Sequence, residues 1–344
     1  MRIAPALPIA ALLTLLLPGV ASAKEHRSFD LQAHRGGIGL AVESSLLSFG
    51  TALAVGVTTL ELDVLITEDG QAVVTHDRRT NPAVCTDTAP ASPGDPEFPY
   101  VGKYVNTLSL AQLLTLDCGS TRKPDYPGQQ LSPGARMLQL HEVFDLAKER
   151  GAHDVRFNIE TKVEAGAPSE TAPREQFVQV VAAEVRRAGV ADRVSIQSFD
   201  WGALMRMREV APELPIVALT NGDFLQTGQP GASPWLGGID VDDFGGSLVA
   251  AAHSFGADAI SPVHGNPQNG GVGQPGYTPY TTKKMVHDAH KVGMKVIPWT
   301  VNDTPTMNAL IDAGVDGLIT DYPDRLRTVL EERKFDLPQQ YPAA

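Results

Sequence analysis

Apolar and polar residues alternate along this chain with two different periods, and the period predicts which segments are strands and which are helices. Residues 59–67 alternate with the two-residue period of a strand, whereas residues 44–56 have helical spacing and end at a glycine. The same alternation of strand and helix patterns continues to the carboxyl end. Eight strands are predicted in all, at residues 29–34, 59–67, 155–162, 193–199, 215–219, 257–261, 295–301 and 317–320.

Helices are predicted between most of these strands, although a glycine-rich stretch follows the fifth. They lie at residues 44–56, 140–150, 174–188, 202–211, 281–292, 304–313 and 325–333. Eight strands that alternate with helices over 344 residues favour a closed parallel barrel over an open sheet. We therefore predict the α/β class and a (β/α)8 TIM barrel.

Residues 78–136 interrupt the alternation. This segment is rich in Pro, Gly, Asp and Thr, and only residues 109–116 have helical spacing. Because such a long connection is unusual within a compact domain, we interpret it as a small subdomain inserted into the barrel. Residues 24–344 would then form one barrel domain, with the insertion at about residues 78–136.

The amino-terminal residues resemble a secretory signal peptide. Arg2 precedes an apolar stretch over residues 3–17, and Ala21-Ser22-Ala23 has the small residues of a cleavage site. A membrane anchor is the less favoured alternative, because the apolar stretch is short and interrupted by prolines. We predict that residues 1–23 are removed and that the protein is secreted or periplasmic, without a stable membrane anchor.

The composition is that of a globular protein, and the net charge narrows the choice of partners. Hydrophobic residues make up 42% of the chain and the formal charge is −12. An acidic surface repels nucleic acid and is not attracted to anionic lipid. Nucleic acid is therefore not an expected partner, and a phosphate ester would need local positive charge from a cation or from a few Arg and Lys residues. The oligomeric state is left open.

The chain contains two cysteines, Cys85 and Cys118, and both lie in the insertion. In an oxidising compartment they could form a disulfide that closes a loop of about 33 residues. Two free thiols, one or both buried, are the alternative. The predicted export and the loop-rich position favour the disulfide.

Acidic side chains are predicted on the inner face of two barrel strands. Alternation directs Glu61 and Asp63 of the second strand into the barrel, together with Glu160 and Lys162 of the third. Buried carboxylates are costly unless they are neutralised, and three of them offer the oxygen ligands that suit Ca2+ or Mg2+. A buried salt-bridge layer, neutralised by Lys162 or Arg35, is the alternative.

Two histidines are predicted beside these acids. His34 ends the first strand, and His76 ends a short segment that extends or pairs with the second. The carboxyl ends of barrel strands meet at one mouth, so both imidazoles should lie near the carboxylates. Each could serve as a hydrogen-bonding core residue, but two of them beside inward acids favour a general acid and base.

A series of short motifs spans residues 30 to 325 in order. They are His34-Arg35-Gly36, Glu43, Glu61-Leu62-Asp63-Val64, His76-Asp77, Asn158-Ile159-Glu160-Thr161-Lys162, Gln197-Ser198-Phe199, Pro298-Trp299-Thr300-Val301-Asn302 and Thr320-Asp321-Tyr322-Pro323. In these motifs, and in the insertion after His76-Asp77, the chain resembles the glycerophosphodiester phosphodiesterase family. The resemblance implies metal-dependent hydrolysis of glycerophosphodiesters to glycerol 3-phosphate and an alcohol.

The resemblance also implies a role for each matching residue. One divalent cation, Ca2+ or Mg2+, would be bound by Glu61, Asp63 and Glu160. The general acid and base would be His34 and His76, in an order that the sequence leaves open. The phosphoryl oxygens would be neutralised by Arg35 and Lys162.

Trp299 and Glu43 also match positions of the family, and each has an open alternative. Trp299 would wall the site for glycerol and phosphate, although it could equally be a core aromatic at a strand end. Glu43 matches a family acid that lies near the metal, but Val42-Glu43-Ser44-Ser45 stands where the family usually has Pro-Glu-Asn-Thr. Its role as a metal-proximal acid is therefore open.

Two alternative functions fit the sequence less well. Related barrels that cleave sphingomyelin, lysophospholipids or inositol lipids need an apolar rim facing the membrane, and no aromatic- or lysine-rich interfacial stretch is present. A barrel that binds phosphate esters without turnover is disfavoured because all acid, base and metal candidates are present. A small soluble glycerophosphodiester is therefore the expected partner, with its alcohol half unspecified.

Overall fold

The computed structural model describes residue 1 and residues 27–343. A barrel of parallel strands forms its centre. The strands of this part of the chain are β1 (Asp30–Ala33), β2 (Thr59–Ile66), β3 (Ala72–Val74), β4 (Leu138–Gln139), β5 (Arg156–Thr161), β6 (Val194–Ser198), β7 (Ile216–Thr220), β8 (Ala259–Pro262), β9 (Gly265–Asn266), β10 (Thr278–Pro279), β11 (Lys295–Val296) and β12 (Gly317–Thr320). The predicted signal peptide falls on residues that lie outside the described ones, apart from residue 1.

The barrel strands pair in the order β11-β8-β7-β6-β5-β2-β1-β12, with parallel neighbours throughout. Backbone hydrogen bonds then join the two ends of this series. The Asp316 nitrogen donates to the Val296 oxygen at 2.9 Å, and the Ile319 nitrogen donates to the Pro298 oxygen at 3.0 Å. The sheet is therefore closed, and the predicted (β/α)8 barrel is confirmed.

Helices cover the outside of the barrel. In the described residues they are α1 (Leu46–Val55), α2 (Leu110–Leu113), α3 (Leu140–Glu149), α4 (Arg174–Ala188), α5 (Trp201–Val210), α6 (Leu248–Ser254), α7 (Lys283–Lys291), α8 (Thr304–Ala313) and α9 (Pro323–Glu332). None of the described helices is long and apolar enough to cross a membrane.

Local chemistry explains where α1 begins and ends, and with it the loop that carries the first histidine. The side chain of Ser45 accepts a hydrogen bond from the Ser48 nitrogen, and the Ser48 hydroxyl accepts one from the Ser45 nitrogen, which is a capping box. Gly56 ends the helix with a φ of 85°, a conformation that favours glycine. The buried face of α1, which includes Phe49 and Leu53, packs into the core.

Three sequence predictions of secondary structure need correction. The strand predicted at residues 295–301 is regular only over β11, because Pro298 has no N–H for the ladder. The helix predicted at residues 109–116 is reduced to α2. The glycine-rich stretch after β7 contains α6, which spans only seven residues and begins at the capping residue Ser247.

The insertion occupies the connection between β3 and β4 and packs beside the loop after β1. β3 pairs antiparallel with both β2 and β4. Cys85 and Cys118 form a disulfide, as predicted. Further along the insertion, the Gln130 nitrogen donates to the Leu40 oxygen, and the Gln130 oxygen accepts from the Val42 nitrogen, each at 2.9 Å. These two bonds fix the insertion against the segment between His34 and α1.

Candidate active site

Three carboxylates of β2 and β5 converge inside the barrel. Parallel pairing places Asp63 directly beside Glu160, with Glu61 two residues earlier on β2. Each of the three offers an oxygen within 4.8 Å of the others, and the residues are 1% exposed for Glu61 and Asp63 and 7% for Glu160. The alternation of β2 and β5 therefore directs the acids inward, as the sequence predicted.

The surroundings of Asp63 fit a bound cation. Both of its carboxylate oxygens are buried and have no hydrogen-bond partner among the described residues. Its nearest cations are Arg35 Nε, at 3.4 Å, and Lys162 Nζ, at 3.7 Å. Since a buried acceptor is costly unless it is satisfied, these oxygens indicate a ligand position, and an all-oxygen set suits Ca2+ or Mg2+.

The charge of the acid cluster is only partly compensated. Lys162 Nζ lies 2.8 Å from Glu160 Oε1, yet burial and the charge of Asp63 raise the pKa of Glu160 to about 7. Burial and the charge of Asp63 likewise raise the pKa of Glu61 well above its ordinary value. Further positive charge nearby would favour the ionised form of both carboxylates.

Buried amide side chains from β1, β5 and β6 hold Glu61 through a series of hydrogen bonds. Asn158 Nδ2 donates to Gln32 Oε1 at 2.9 Å and to Gln197 Oε1 at 2.8 Å. Gln197 Nε2 in turn donates to Glu61 Oε1 at 2.7 Å. The other oxygen of Glu61 accepts from the Arg35 backbone nitrogen at 2.9 Å. Because every amide in this chain of bonds is buried, the orientation of Glu61 is tightly defined.

His34 faces the same mouth and is held by an aspartate from the far end of the chain. His34 Nδ1 lies 2.5 Å from Asp321 Oδ1. Asp321 Oδ2 also accepts from Tyr126 Oη at 2.9 Å and from Asn302 Nδ2 at 2.6 Å. Burial raises the pKa of Asp321, but His34 and these two hydrogen bonds outweigh it and lower the pKa. Asp321 is therefore an anion that holds His34 through Nδ1.

His76 has a similar arrangement on the other side of the acids. Its Nδ1 lies 2.7 Å from Asp77 Oδ1, and Asn81 Nδ2 donates to the second oxygen of Asp77. Burial, together with the nearby charges of Arg35 and Lys162, lowers the pKa of His76 to about 4. The structure thus brings both predicted histidines to the mouth of the barrel, each supported by an aspartate.

Glu43 lies beside Arg35, and its role as a metal-proximal acid stays a prediction. Its carboxylate lies 3.4 Å from Arg35 Nη1 and 2.7 Å from Lys123 Nζ. Burial raises its pKa, but the charges of Arg35 and Lys123 outweigh that and lower it. The acid cluster of the described residues comprises Glu61, Asp63 and Glu160 without Glu43. Glu43 therefore anchors Arg35, whose backbone has a φ of 51°.

The site opens into a cleft of about 410 Å³ that His34, Glu160, Lys162 and Trp299 line. Trp299 Nε1 donates to the Ser261 oxygen at 2.9 Å, which fixes the ring at the wall of the cleft. Trp299 is partly exposed and borders the site, so it is more than a core aromatic.

Sequence reasoning assigned no role to Asp321, Tyr126 or Lys123, although all three support predicted site residues. Asp321 carried a usable signal, because it directly follows a barrel strand and belongs to a recognised motif. Tyr126 and Lys123 lie in the irregular insertion, where no periodicity or motif distinguishes them. Their contacts with Asp321 and Glu43 exist only through the tertiary fold.

Comparisons with known proteins agree with this geometry. The sequence profile of the glycerophosphoryl diester phosphodiesterase family matches residues 34–325. A glycerophosphodiester phosphodiesterase of Caldanaerobacter subterraneus subsp. tengcongensis is 27% identical over 294 residues, which cover 86% of this chain and 94% of that protein.

Solved structures share the fold. A Silicibacter pomeroyi protein, provisionally described as a glycerophosphoryl diester phosphodiesterase, superimposes with a TM-score of 0.72 and 28% identity, over 90% of this chain and 95% of that one. An Oleispira antarctica phosphodiesterase, solved with its product sn-glycerol-3-phosphate, has a TM-score of 0.62 and 19% identity, over 87% of this chain and 96% of that one. The resemblance and the predicted enzyme class are confirmed: the chain belongs to the glycerophosphoryl diester phosphodiesterase family, whose members are phosphoric diester hydrolases.

Proposed function

We propose that the protein is a metal-dependent enzyme that hydrolyses glycerophosphodiesters to glycerol 3-phosphate and an alcohol. The observation that carries this proposal is the convergence of Glu61, Asp63 and Glu160 between two aspartate-supported imidazoles. The sn-glycerol-3-phosphate bound to the Oleispira antarctica phosphodiesterase supports the same product class here.

A cation held by the three acids, together with the two basic side chains, would neutralise the negative charge of the phosphodiester. Glu61, Asp63 and Glu160 would hold one divalent cation, Ca2+ or Mg2+, which when bound supplies positive charge to a phosphoryl oxygen. Arg35 and Lys162 would bind other phosphoryl oxygens. Their side chains are only 12% and 14% exposed and lie beside the carboxylates, so they are positioned before the substrate arrives and lose little freedom when it binds.

His34 and His76 would be the general acid and base. Asp321 and Asp77 each accept a hydrogen bond from Nδ1, which leaves Nε2 of each ring to exchange a proton. One imidazole would take the proton of a glycerol hydroxyl as its oxygen bonds to phosphorus. The other would protonate the departing alcohol, which leaves a cyclic phosphate. Water would then open the ring with the proton transfers reversed.

We also propose that the protein is exported from the cytoplasm. Residues 1–23 would be removed on export, residues 24–344 would form the working barrel domain, and the protein would be secreted or periplasmic. The disulfide between Cys85 and Cys118 supports an oxidising compartment. The net charge of −12 supports a small soluble substrate over nucleic acid.

A metal add-back assay tests the proposal. Protein dialysed against chelator would be given glycerophosphocholine with Ca2+ or Mg2+, and release of glycerol 3-phosphate would be followed. Turnover should depend on the metal and should be lost in His34→Ala and His76→Ala but kept in His253→Ala, which changes an exposed histidine on α6. No release with any divalent metal, or full activity in His34→Ala, would refute it.

A further inference from the structure

Four aromatic rings line one side of the cleft and form what we call the aromatic wall: Trp299, Phe199, Phe224 and Trp235. Phe199 contacts Trp299 and Phe224 edge to face, with centroids 5.4 Å apart in both pairs. Phe224 and Trp235 are stacked at 4.2 Å with an interplanar angle of 4°. None of the four is fully buried, so this is a surface that the cleft presents to a ligand.

The aromatic wall begins beside the phosphate-binding groups and continues past them. The Phe199 ring centroid lies 5.9 Å from Lys162 Nζ, so this end of the wall borders the phosphoryl position. Phe224 contacts Phe199, and Trp235 stacks on Phe224. Both lie on the glycine-rich connection between β7 and α6. The mechanism above uses neither of these two rings, although both face the cleft.

Acidic residues lie next to the far end of the wall. Glu164 lines the cleft, and its Oε1 accepts from the Gly166 nitrogen at 3.1 Å. A methyl group at Gly166 would lie only 3.8 Å from the Trp235 ring, which places Glu164 and Trp235 on neighbouring surfaces.

The charges around Glu164 leave an excess of carboxylate. Arg78 Nη1 lies 2.6 Å from both Glu164 Oε2 and Glu170 Oε2, so one guanidinium serves two acids. Asp77 lines the same cleft, with its carboxylate bonded to His76 and Asn81. The rim formed by these residues therefore carries net negative charge beside the aromatic wall.

A ligand that fits both features is a cation with a bulky apolar shell. Aromatic faces attract quaternary ammonium groups by cation–π interaction, and the acidic rim adds to that attraction. Rings offer no hydrogen bonds to a polyhydroxy alcohol such as glycerol or inositol, and the acidic rim repels an anionic one. A primary ammonium would be held less well than a methylated one, because it keeps its hydration shell.

We infer that Phe224 and Trp235, at the far end of the aromatic wall, form with Glu164 the subsite for the alcohol half of the substrate and that this subsite selects a quaternary ammonium alcohol of the choline type. This inference rests on the proposed phosphodiesterase function. Phe224 and Trp235 set the preference for the methylated ammonium group, and Glu164 adds to the local charge.

Substrate competition tests the inference. The ratio kcat/KM would be measured for glycerophosphocholine, glycerophosphoethanolamine and glycerophosphoglycerol. The wild-type enzyme should prefer the choline ester to the glycerol ester by about tenfold. Trp235→Leu should abolish that preference by raising KM for the choline ester, with the glycerol ester changed less than about twofold, whereas Trp235→Phe keeps a ring and should retain most of it.

Glu164→Gln provides an independent variant. It removes a carboxylate and leaves Arg78 with one partner, so both changes oppose binding of an ammonium group. The choline preference should fall several-fold, whereas Glu209→Gln, on the exposed surface of α5, should leave it unchanged. Tetramethylammonium chloride should inhibit the wild-type enzyme competitively, and weakly in Trp235→Leu.

The outcomes separate this inference from the proposed function. Turnover of all three esters without preference, or equal losses for all three in Trp235→Leu and Glu164→Gln, would overturn the choline subsite but leave the phosphodiesterase assignment standing. No turnover of any ester would overturn the assignment itself. If Trp235→Leu does not fold, as judged by its thermal melting curve, Glu164→Gln and the inhibition of the wild-type enzyme by tetramethylammonium decide the question.

Discussion

His34 and Asp321 meet at the mouth of the barrel, with Nδ1 2.5 Å from Oδ1, although they lie 287 residues apart in the chain. The contact arises because β1 pairs with β12, so that Ala33 lies opposite Thr320 and the residues that follow both strands are brought together. A carboxylate in this position selects the imidazole tautomer and stabilises its protonated form.

We expect Asp321→Asn to lower kcat strongly because the amide cannot stabilise a protonated His34. The loss should be about a hundredfold to ten-thousandfold, the range expected for general acid–base catalysis, with KM nearly unchanged. Steady-state kinetics on glycerophosphocholine would measure it. Asp324→Asn, which changes an exposed residue on α9, is the matched control and should behave as wild type. Equal kinetics for the two variants would contradict the role given to Asp321.

Tyr126 should affect the same step more weakly, from within the insertion. Tyr126→Phe removes one of the hydrogen bonds to Asp321, which is worth about 0.5–1.5 kcal/mol. We therefore expect kcat to fall by about two- to tenfold, with a folded protein by circular dichroism. An unchanged kcat would show that Asn302 and His34 alone are sufficient to hold Asp321.

Metal binding should stabilise the wild-type protein but not a variant of the acid cluster. A ligand at one hundred times its Kd adds about 2.7 kcal/mol to the free energy of unfolding. We expect Ca2+ or Mg2+ to raise the melting temperature of chelator-treated protein and to have no effect on Asp63→Asn. Asp154→Asn, an exposed substitution, should respond like wild type. A metal response that survives in Asp63→Asn would place the cation elsewhere.

Glu160 should make the stability of the metal-free protein depend on pH. Burial raises its pKa from 4.5 to about 7, so the folded state favours the protonated form. The corresponding stabilisation is present below the ordinary pKa and is lost as pH rises through about 7, by up to about 3 kcal/mol. Denaturant unfolding of wild type and Glu160→Gln in chelator would give the difference. That difference should shrink when the divalent cation is restored.

The disulfide should contribute to stability by limiting the unfolded chain. The cysteines are separated by 33 residues, for which loop-closure entropy corresponds to about 3–4 kcal/mol. Dithiothreitol should therefore lower the melting temperature of the wild-type protein and leave that of a Cys85→Ser/Cys118→Ser variant unchanged. If reduction has no effect on the wild-type protein, the reduced insertion is held by its other contacts.

The sequence was sufficient to predict the elements whose signal is local. Two-residue alternation identified β2 and β5 and assigned Glu61, Asp63 and Glu160 to their inner faces, because a strand side chain can point only in or out. The barrel class followed from the count and order of such segments. The cysteine pairing followed from the presence of only two cysteines and an expected oxidising compartment.

What the sequence could not predict depends on contacts between distant segments. Lys123 and Tyr126 carry no local pattern, and their roles appear only when the insertion packs against Glu43 and Asp321. Phe224 and Trp235 lie in a glycine-rich connection, so their stacking could not be read from spacing. The position of Glu43 was also open, because a carboxylate near a metal and one that anchors an arginine have the same sequence signature.

Closure of the barrel by β12 has a consequence for biogenesis. His34 gains its carboxylate partner, Asp321, only when β12 pairs with β1. A ribosome-bound polypeptide therefore lacks the contact between His34 and Asp321 until nearly all of the chain has emerged. Under the proposed mechanism, a truncated translation product that lacks β12 would therefore be inactive.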